Sequence, residues 1–252
     1  PKPSPCISRA PAADVTLPVL VLRPEPGATA TAAKARATGL DARAFPLFEV
    51  RALPWNTLPR EDVDALLLGS ANALRHGGEA LNLYRGLPAY AVGEKTAQAA
   101  RDTGLDVVET GKGGLQPMLG LLHPGHRRLL RLAGRERIVL EIPEGVTVTT
   151  REVYSSEPLP LPAELAAILA APALILLHSG EAAAHFAALC DAAGIARDRL
   201  QLAAIGPRVA ARAGTGWHTL KSAPEPSDAA LLALAAQMCE ETASGSQLPE
   251  QG

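Results

Sequence analysis

One pattern is written twice in this chain, and a short extended stretch lies between the copies. The first copy opens with an apolar run ending on a serine, ALLLGS over Ala65–Ser70, and later reads AYAVGEKTAQAARDTGLDVV from Ala89. The second opens with ALILLHS over Ala173–Ser179 and later reads LAAIGPRVAARAGTGWHTL from Leu202. Each copy therefore gives a strand to a serine, a helical run, a second strand to Gly93 or Gly206, an alanine-rich helix, and a glycine turn into a third strand. Strands alternating with helices in this way build parallel sheets through βαβ crossovers. The serine-to-glycine spacings are unequal, 23 and 27 residues, whereas the repeats of a solenoid recur at one fixed period. The copies read as two related domains, and 252 residues leave room for a core in each.

The stretch between them is REVYSSEPLP, Arg151–Pro160. Val153 and Ser155 alternate with Glu152 and Tyr154, as on a short exposed strand. Pro158, Pro160 and Pro162 then keep the chain extended and out of any sheet. A similar segment, ARAFPLFEVRAL, has its strand pattern interrupted at Pro46. Two extended crossings bracketing the middle of the chain predict one α/β domain inserted into another. Residues 50–150 form the inserted domain, and 16–43 with 161–240 form the outer one. Residues 44–49 and 151–160 are the linker strands and act as a hinge. Residues 1–15 and 241–252 are expected to be flexible ends.

Composition excludes several classes. A net charge of −2 provides no field favouring nucleic acid or a membrane surface. Aromatics are only 3% of the residues, too few for a surface that stacks bases. No run approaches the 18 or so apolar residues of a membrane span, and no signal-peptide core precedes the first strand. Cys6, Cys190 and Cys239 are odd in number and widely spaced, which predicts a reduced, cytoplasmic protein.

Ligands of parallel sheets bind beyond the carboxyl ends of the strands, where helix N-termini offer free amides. Four such turns are visible: Ser70-Ala71-Asn72, Gly93-Glu94-Lys95-Thr96, Ser179-Gly180-Glu181 and Gly206-Pro207-Arg208. Ser70, Thr96 and Ser179 can bind an anion through a hydroxyl, or simply cap a helix. No phosphate-loop or dinucleotide motif sits in the required context, so no nucleotide cofactor is expected. His123 and His126 have a metal-like spacing, but Pro124-Gly125 between them reads as a turn, and no metal is expected. The arginines Arg127, Arg128, Arg131, Arg135 and Arg137 read first as a solvated face, and as a polycarboxylate site only if they meet a cleft. Tyr154 is either a packing aromatic or a proton donor, since phenols keep their proton at neutral pH.

Taken in order, LLLGSANAL, VGEKTAQAARDTG, VYSSEPLP and LAAIGPRVAA resemble the uroporphyrinogen-III synthase family over about residues 17–238. The resemblance implies two flavodoxin-like α/β domains joined by a two-stranded antiparallel linker, with the site in the cleft between them. It implies a cyclising lyase that closes the linear tetrapyrrole hydroxymethylbilane with loss of water and inversion of the last ring, without cofactor or metal. The family's tyrosine falls on Tyr154 as the acid for the leaving hydroxyl. Its substrate-binding positions fall on Ser70, Ala71, Gly93, Thr96, Ser179, Gly180 and Gly206. Many relatives carry a threonine after the last of these turns, where this chain has Arg208, and only carboxylate binding is carried over to it. The stretch between Gly134 and Gly145 is too short for the helix often found there. A monomer acting on a small molecule, away from membranes and nucleic acid, is expected. The other classes open to this sequence are a non-catalytic two-domain binder of an anion and a synthase-like regulatory domain without activity.

Overall fold

A computed structural model of the protein describes residues 17–245. The arm expected over 1–15 lies outside them, as does the tail beyond residue 245. Two compact units emerge: residues up to Leu47 together with Leu159 onward, and Phe48–Pro158.

In chain order, the first unit begins with β1 (Val19–Val21), α1 (Gly27–Ala37) and β2 (Ala42–Ala44). The second unit follows with β3 (Phe48–Ala52), β4 (Ala65–Leu68), α2 (Asn72–His76), β5 (Pro88–Val92), α3 (Glu94–Asp102), β6 (Asp106–Gly111), α4 (Leu115–Met118), β7 (Arg128–Gly134) and β8 (Thr147–Pro158). The first unit is completed by α5 (Ala163–Ile168), β9 (Ala173–Leu177), α6 (Gly180–Ala192), β10 (Leu200–Ala204), α7 (Pro207–Ala213), β11 (Thr219–Ser222) and α8 (Asp228–Gly245).

In the first unit all five strands run parallel, in the order β11-β10-β9-β1-β2. The continuous apolar runs of β1 and β9 are buried on both faces, as central parallel strands require. Helices α1 and α8 cover one face through Ala28, Ala32, Ala35, Leu231 and Ala235, packed on Val19, Val21, Leu174 and Leu176. Alanines on α1 let its backbone lie close to the sheet.

The second unit has the order β3-β8-β7-β4-β5-β6, parallel except for β3. Leu66, Leu68, Leu130, Leu132 and Val153 fill the core on one face. Ala65, Leu67, Leu115, Met118 and Leu129 fill it on the other. The extended stretch around Tyr154 belongs to this sheet. Strand β8 pairs with β7 in parallel over Thr147–Tyr154 and then with β3 antiparallel over Tyr154–Pro158.

The two sheets share one spatial plan. Two strands (β1 and β2, or β7 and β8) flank three (β9, β10 and β11, or β4, β5 and β6). After the antiparallel β3, the parallel strands of the second unit begin at the first strand of the set of three, so the plan is the flavodoxin order with a different starting point. The twice-written pattern occupies these sets of three, and Ser70 and Ser179 follow the equivalent strands β4 and β9.

Within the glycine-rich segment from Lys112 to Pro117, α4 starts at Leu115, with Leu115 and Met118 buried. One local expectation needs correction. Helix α8 continues to Gly245, past the expected end at Glu240. Tertiary partners hold its last turns: Gln201 Nε2 donates to Thr242 Oγ1 at 2.8 Å, and Lys221 Nζ lies 2.6 Å from Glu241. Ser227 caps this helix, its Oγ accepting from the Ala230 amide at 3.1 Å.

The join between β4 and β7 is pinned by Asp64. Its Oδ2 accepts from the Arg127 and Arg128 amides at 2.9 and 2.8 Å, and its Oδ1 from Arg128 Nη2 at 2.7 Å. The Arg128 side chain above all, with the two amides, outweighs the cost of burial and lowers the Asp64 pKa to about 2. An acid held below its unfolded value stabilises the fold above that value, and the contribution disappears as pH falls through the folded one. Asp64→Asn should lower stability at neutral pH by about 1 kcal/mol, allowing for solvent screening. It should also flatten the loss of stability between the ordinary aspartate range and pH 2, as read by chemical denaturation at a series of pH values.

Candidate active site

The chain runs from β4 to β5 on one side and from β7 to β8 on the other, which opens a crevice between β4 and β7 at their carboxyl ends. A cavity of about 190 Å³ lies there, lined by Ser70, Leu115, Arg131, Gly134, Arg137 and Tyr154 among others. Ser70 and Tyr154, two of the residues singled out from the sequence, are thus brought to one hollow.

A bulge aims the tyrosine. Ala133 pairs with Glu152 but Gly134 pairs with Tyr154, so β8 carries one extra residue at Val153. Such an insertion redirects the side chain that follows it. The ring then lies against Gly134, where the Cβ of any larger residue would come within 2.7 Å of Tyr154 Cε2 and 3.1 Å of its hydroxyl oxygen. On another side the ring meets His76 at 6.2 Å between centroids. Burial first, and Arg75 second, hold the His76 imidazole below the usual histidine range, so it adds no charge beside the phenol. Ser70 Oγ accepts from the Asn72 amide at 3.2 Å, closing the turn after β4.

The arginines of this region divide. Arg128 pairs with Asp64, Arg137 Nη1 lies 2.6 Å from Glu152, and Arg135 lies 3.8 Å from both Glu152 and Glu157. Arg131 is only 6% exposed and has no carboxylate partner among the described residues. Burial, with Arg137 adding repulsion, pulls its pKa below the usual arginine range. The sequence reading took Arg131 together with four other arginines, as a solvated face or, at a cleft, a polycarboxylate site, and did not single it out. The signal was its parity with Leu129 inside a strand otherwise apolar on both faces.

The other residues proposed in this unit are less available. Thr96 is 5% exposed and Ala71 is 8% exposed. Gly93 has φ +78°, a left-handed conformation suited to glycine, and leads into α3. Of the four turns, those at Gly93 and Ser179 open helices of 9 and 13 residues, α3 and α6. Helices α2 and α7 have 5 and 7 residues. The Gly77-Gly78 pair stops the first, and Gly214 with φ +73° stops the second. The expectation of four helix N-termini as anion donors therefore reduces to two, because the dipole and free amides of so short a helix are weak.

In the first unit the equivalent crevice lies between β1 and β9. Ser179 Oγ caps α6 by accepting from the Ala182 amide at 3.1 Å, and Gly180 begins that helix. A Cβ on Gly180 would come within 3.0 Å of Arg212 Cγ, so α6 and α7 approach closely there. Gly206 precedes α7 in extended conformation, and Arg208 in the first turn of α7 is exposed. At the crevice itself, Asp228 receives Arg23 Nη1 at 2.9 Å and the Thr31 hydroxyl at 3.3 Å, with Lys34 3.7 Å away. His178 Nε2 lies 3.3 Å from Asp228 Oδ1, and its side chain is 6% exposed. Burial, with Arg23 adding repulsion, outweighs the nearby carboxylate and lowers the His178 pKa to about 4. Nothing in the sequence pattern pointed to this cluster, whose members come from four separate segments.

His123 and His126 face each other with ring centroids 5.2 Å apart. The Tyr90 hydroxyl bridges them, accepting the His123 amide at 2.8 Å and lying 2.8 Å from His126 Nδ1. Among the described residues no group of three or more His, Cys, Asp or Glu is placed to hold a metal. No helix among them is long and apolar enough to cross a membrane.

The family model described as uroporphyrinogen-III synthase HemD matches residues 29–233. The chain belongs to the uroporphyrinogen-III synthase family. No curated protein matches it at significant similarity. Solved structures of the family share its fold. The uroporphyrinogen-III synthetase of Helicobacter pylori aligns with a TM-score of 0.60 at 17% identity, over 88% of this chain and 99% of that one. A mutant uroporphyrinogen III synthase of Thermus thermophilus aligns with a TM-score of 0.51 at 17% identity, over 90% and 99%. Family members are cyclising lyases of tetrapyrrole biosynthesis, and the two α/β units with parallel-dominated sheets are their architecture.

Two outcomes follow from this geometry. Gly134→Ala should displace the Tyr154 ring while leaving the rest of the sheet intact, visible as a shift of its ring resonances by NMR. For His178, the folded pKa lies below the ordinary value of 6.5, so only the unfolded state takes up a proton between pH 6.5 and about 4. Stability should therefore fall across that window, by on the order of 3 kcal/mol at its end, and His178→Asn should remove that part of the slope in pH-dependent denaturation.

Proposed function

We propose that this chain is an active uroporphyrinogen-III synthase, taking hydroxymethylbilane as substrate and releasing water and the ring-inverted porphyrinogen. The observation that carries the reading is the family match over residues 29–233, together with Ser70 and Tyr154 lining one cavity at a strand-end crevice. The substrate's own pyrrole nitrogen drives out the terminal hydroxyl. The protein's tasks are to protonate that hydroxyl and to hold the last ring so that it attacks through its substituted carbon. Tyr154 donates the proton that leaves as water. Re-aromatisation of the attacking last ring later releases one proton, which restores the phenol, so the cycle balances with loss of one water. Ser70, Ala71, Gly93 and Thr96 in one unit, and Ser179, Gly180, Gly206 and Arg208 in the other, bind the acidic arms. The restricted exposure of Thr96 and Ala71 limits those two to backbone or edge contacts. The enzyme works as a cytoplasmic monomer on a small molecule.

The deciding experiment is to supply hydroxymethylbilane and identify the isomer. Unassisted closure through the free carbon keeps the ring order, so formation of the un-inverted isomer alone, at the uncatalysed rate, overturns the proposal. Tyr154→Phe removes one hydroxyl and little volume. Turnover should fall by about 10²-fold or more with KM changed much less, the pattern of a lost general acid. Full turnover in the folded variant would make Tyr154 a packing residue.

A further inference from the structure

We propose that Arg131 is the anchor of a carboxylate subsite within the cavity beside Ser70 and Tyr154, and that it binds one acidic side arm of the substrate. The carboxylate class follows from this chain's own residues, and its assignment to the substrate rests on the function proposed above.

Arg131 occupies a place that suits an apolar residue. It lies in β7, opposite Leu67 on β4 and Thr150 on β8, and has the same parity as the buried Leu129. A guanidinium never gives up its proton in practice and carries five N–H donors. Nη1 donates to the Ile138 carbonyl at 3.1 Å, while Nε is wholly buried and has no partner. Arg135 and Arg137, a few residues along, have Glu152 and Glu157 beside them. Glu136 lines the same cavity but forms no ion pair with Arg131. An unpaired buried charge destabilises a fold strongly, and removing it in favour of a well-packed apolar side chain is often neutral or stabilising. A residue kept for the fold alone would not be of this kind. The missing partner is an anion.

The cavity limits what that anion belongs to. Its roughly 190 Å³ is below the roughly 300–1,000 Å³ that whole ligands occupy. It admits one short acidic arm and leaves the rest of a large substrate outside. The arm would meet a planar, charged donor and the hydroxyls of Ser70 and Tyr154, the set that suits a carboxylate. Arg131 also lines an adjoining hollow of about 460 Å³ with Arg135, Arg137 and Thr150, through which an arm can reach it.

The test uses the full chain in two ways. In the first, propionate is titrated into the wild-type protein and the Arg131 Nε–Hε resonance is followed by NMR. A saturable shift is expected that chloride at equal ionic strength does not reproduce. An equal response to chloride, or none to either, overturns the subsite. In the second, Arg131→Met and Arg131→Lys are compared with wild type for thermal stability and for kinetics with hydroxymethylbilane. Arg131→Met should keep or raise the melting temperature while raising KM about tenfold or more, with kcat changed much less, and Arg131→Lys should recover part of that loss. A variant that melts lower and keeps its KM shows a structural arginine and overturns the proposal. Should Arg131→Met not fold, the propionate titration of the wild type decides alone. The two proposals fail separately. A saturable propionate shift in a protein that makes no inverted isomer keeps the subsite and removes the synthase reading. Inverted isomer made with unchanged KM in the folded variants does the reverse.

Discussion

Parallel strands cannot be joined by tight hairpins, and the helical crossovers that join them turn in one hand only. When a sheet sends crossovers to both sides of its centre, the loops at the strand ends part and leave a crevice there. Each unit of this chain is laid out so, with the divergence between β1 and β9 in one and between β7 and β4 in the other. The polar side chains that the cores exclude collect at those two places. Arg23, Thr31, His178 and Asp228 gather at the first, and Ser70, Arg131 and Tyr154 at the second. The crevice is a product of backbone topology, and the sequence decides only what lines it.

At the second crevice the lining is fitted at some cost to the fold. A bulge at Val153 breaks the register of β7 and β8, and Gly134 gives up a side chain so that the Tyr154 ring can lie close against the strand. Arg131 puts an uncompensated charge where its parity calls for leucine or valine. Asp64 works in the opposite sense at the far end of the same strands, its carboxylate joining the entrances of β4 and β7 by four hydrogen bonds. The strands are thus held firmly at their amino ends and left imperfect at their carboxyl ends, where a ligand would supply what the protein lacks.

Much of the architecture was legible because its signals are local. The apolar runs of β1, β4, β9 and β10, the glycines after α1 and α3, and the cap at Ser227 each declare themselves within a few residues. The strand-end serines were legible for the same reason, although Ser179 spends its oxygen on capping α6. What escaped was set by distant contacts. The last turns of α8 depend on Gln201 and Lys221, and the burial of Thr96 depends on the sheet beneath α3. His178 escaped, and Arg131 was not told apart from the arginines around it, because burial of a charged or titratable group is a property of the assembled sheet. The shortness of α2 and α7 was visible in Gly77-Gly78 and Gly214, but the alanine-rich runs around them outweighed it.

The position of the second unit within the chain also dictates an order of events when the protein is made. Residues 48–158 are contiguous, so their whole sheet is available as soon as Pro158 has emerged from the ribosome. The first unit has no such freedom. Its central ladder pairs Val19 with Leu174, and until β9 is synthesised the segment carrying β1, α1 and β2 has only one strand partner of its own. Closing that long loop as free chain would be entropically expensive, but a folded insert brings its two ends, Phe48 and Pro158, together as register partners. The inserted unit is thereby a clamp for its host, bringing the early strands to where the late ones arrive.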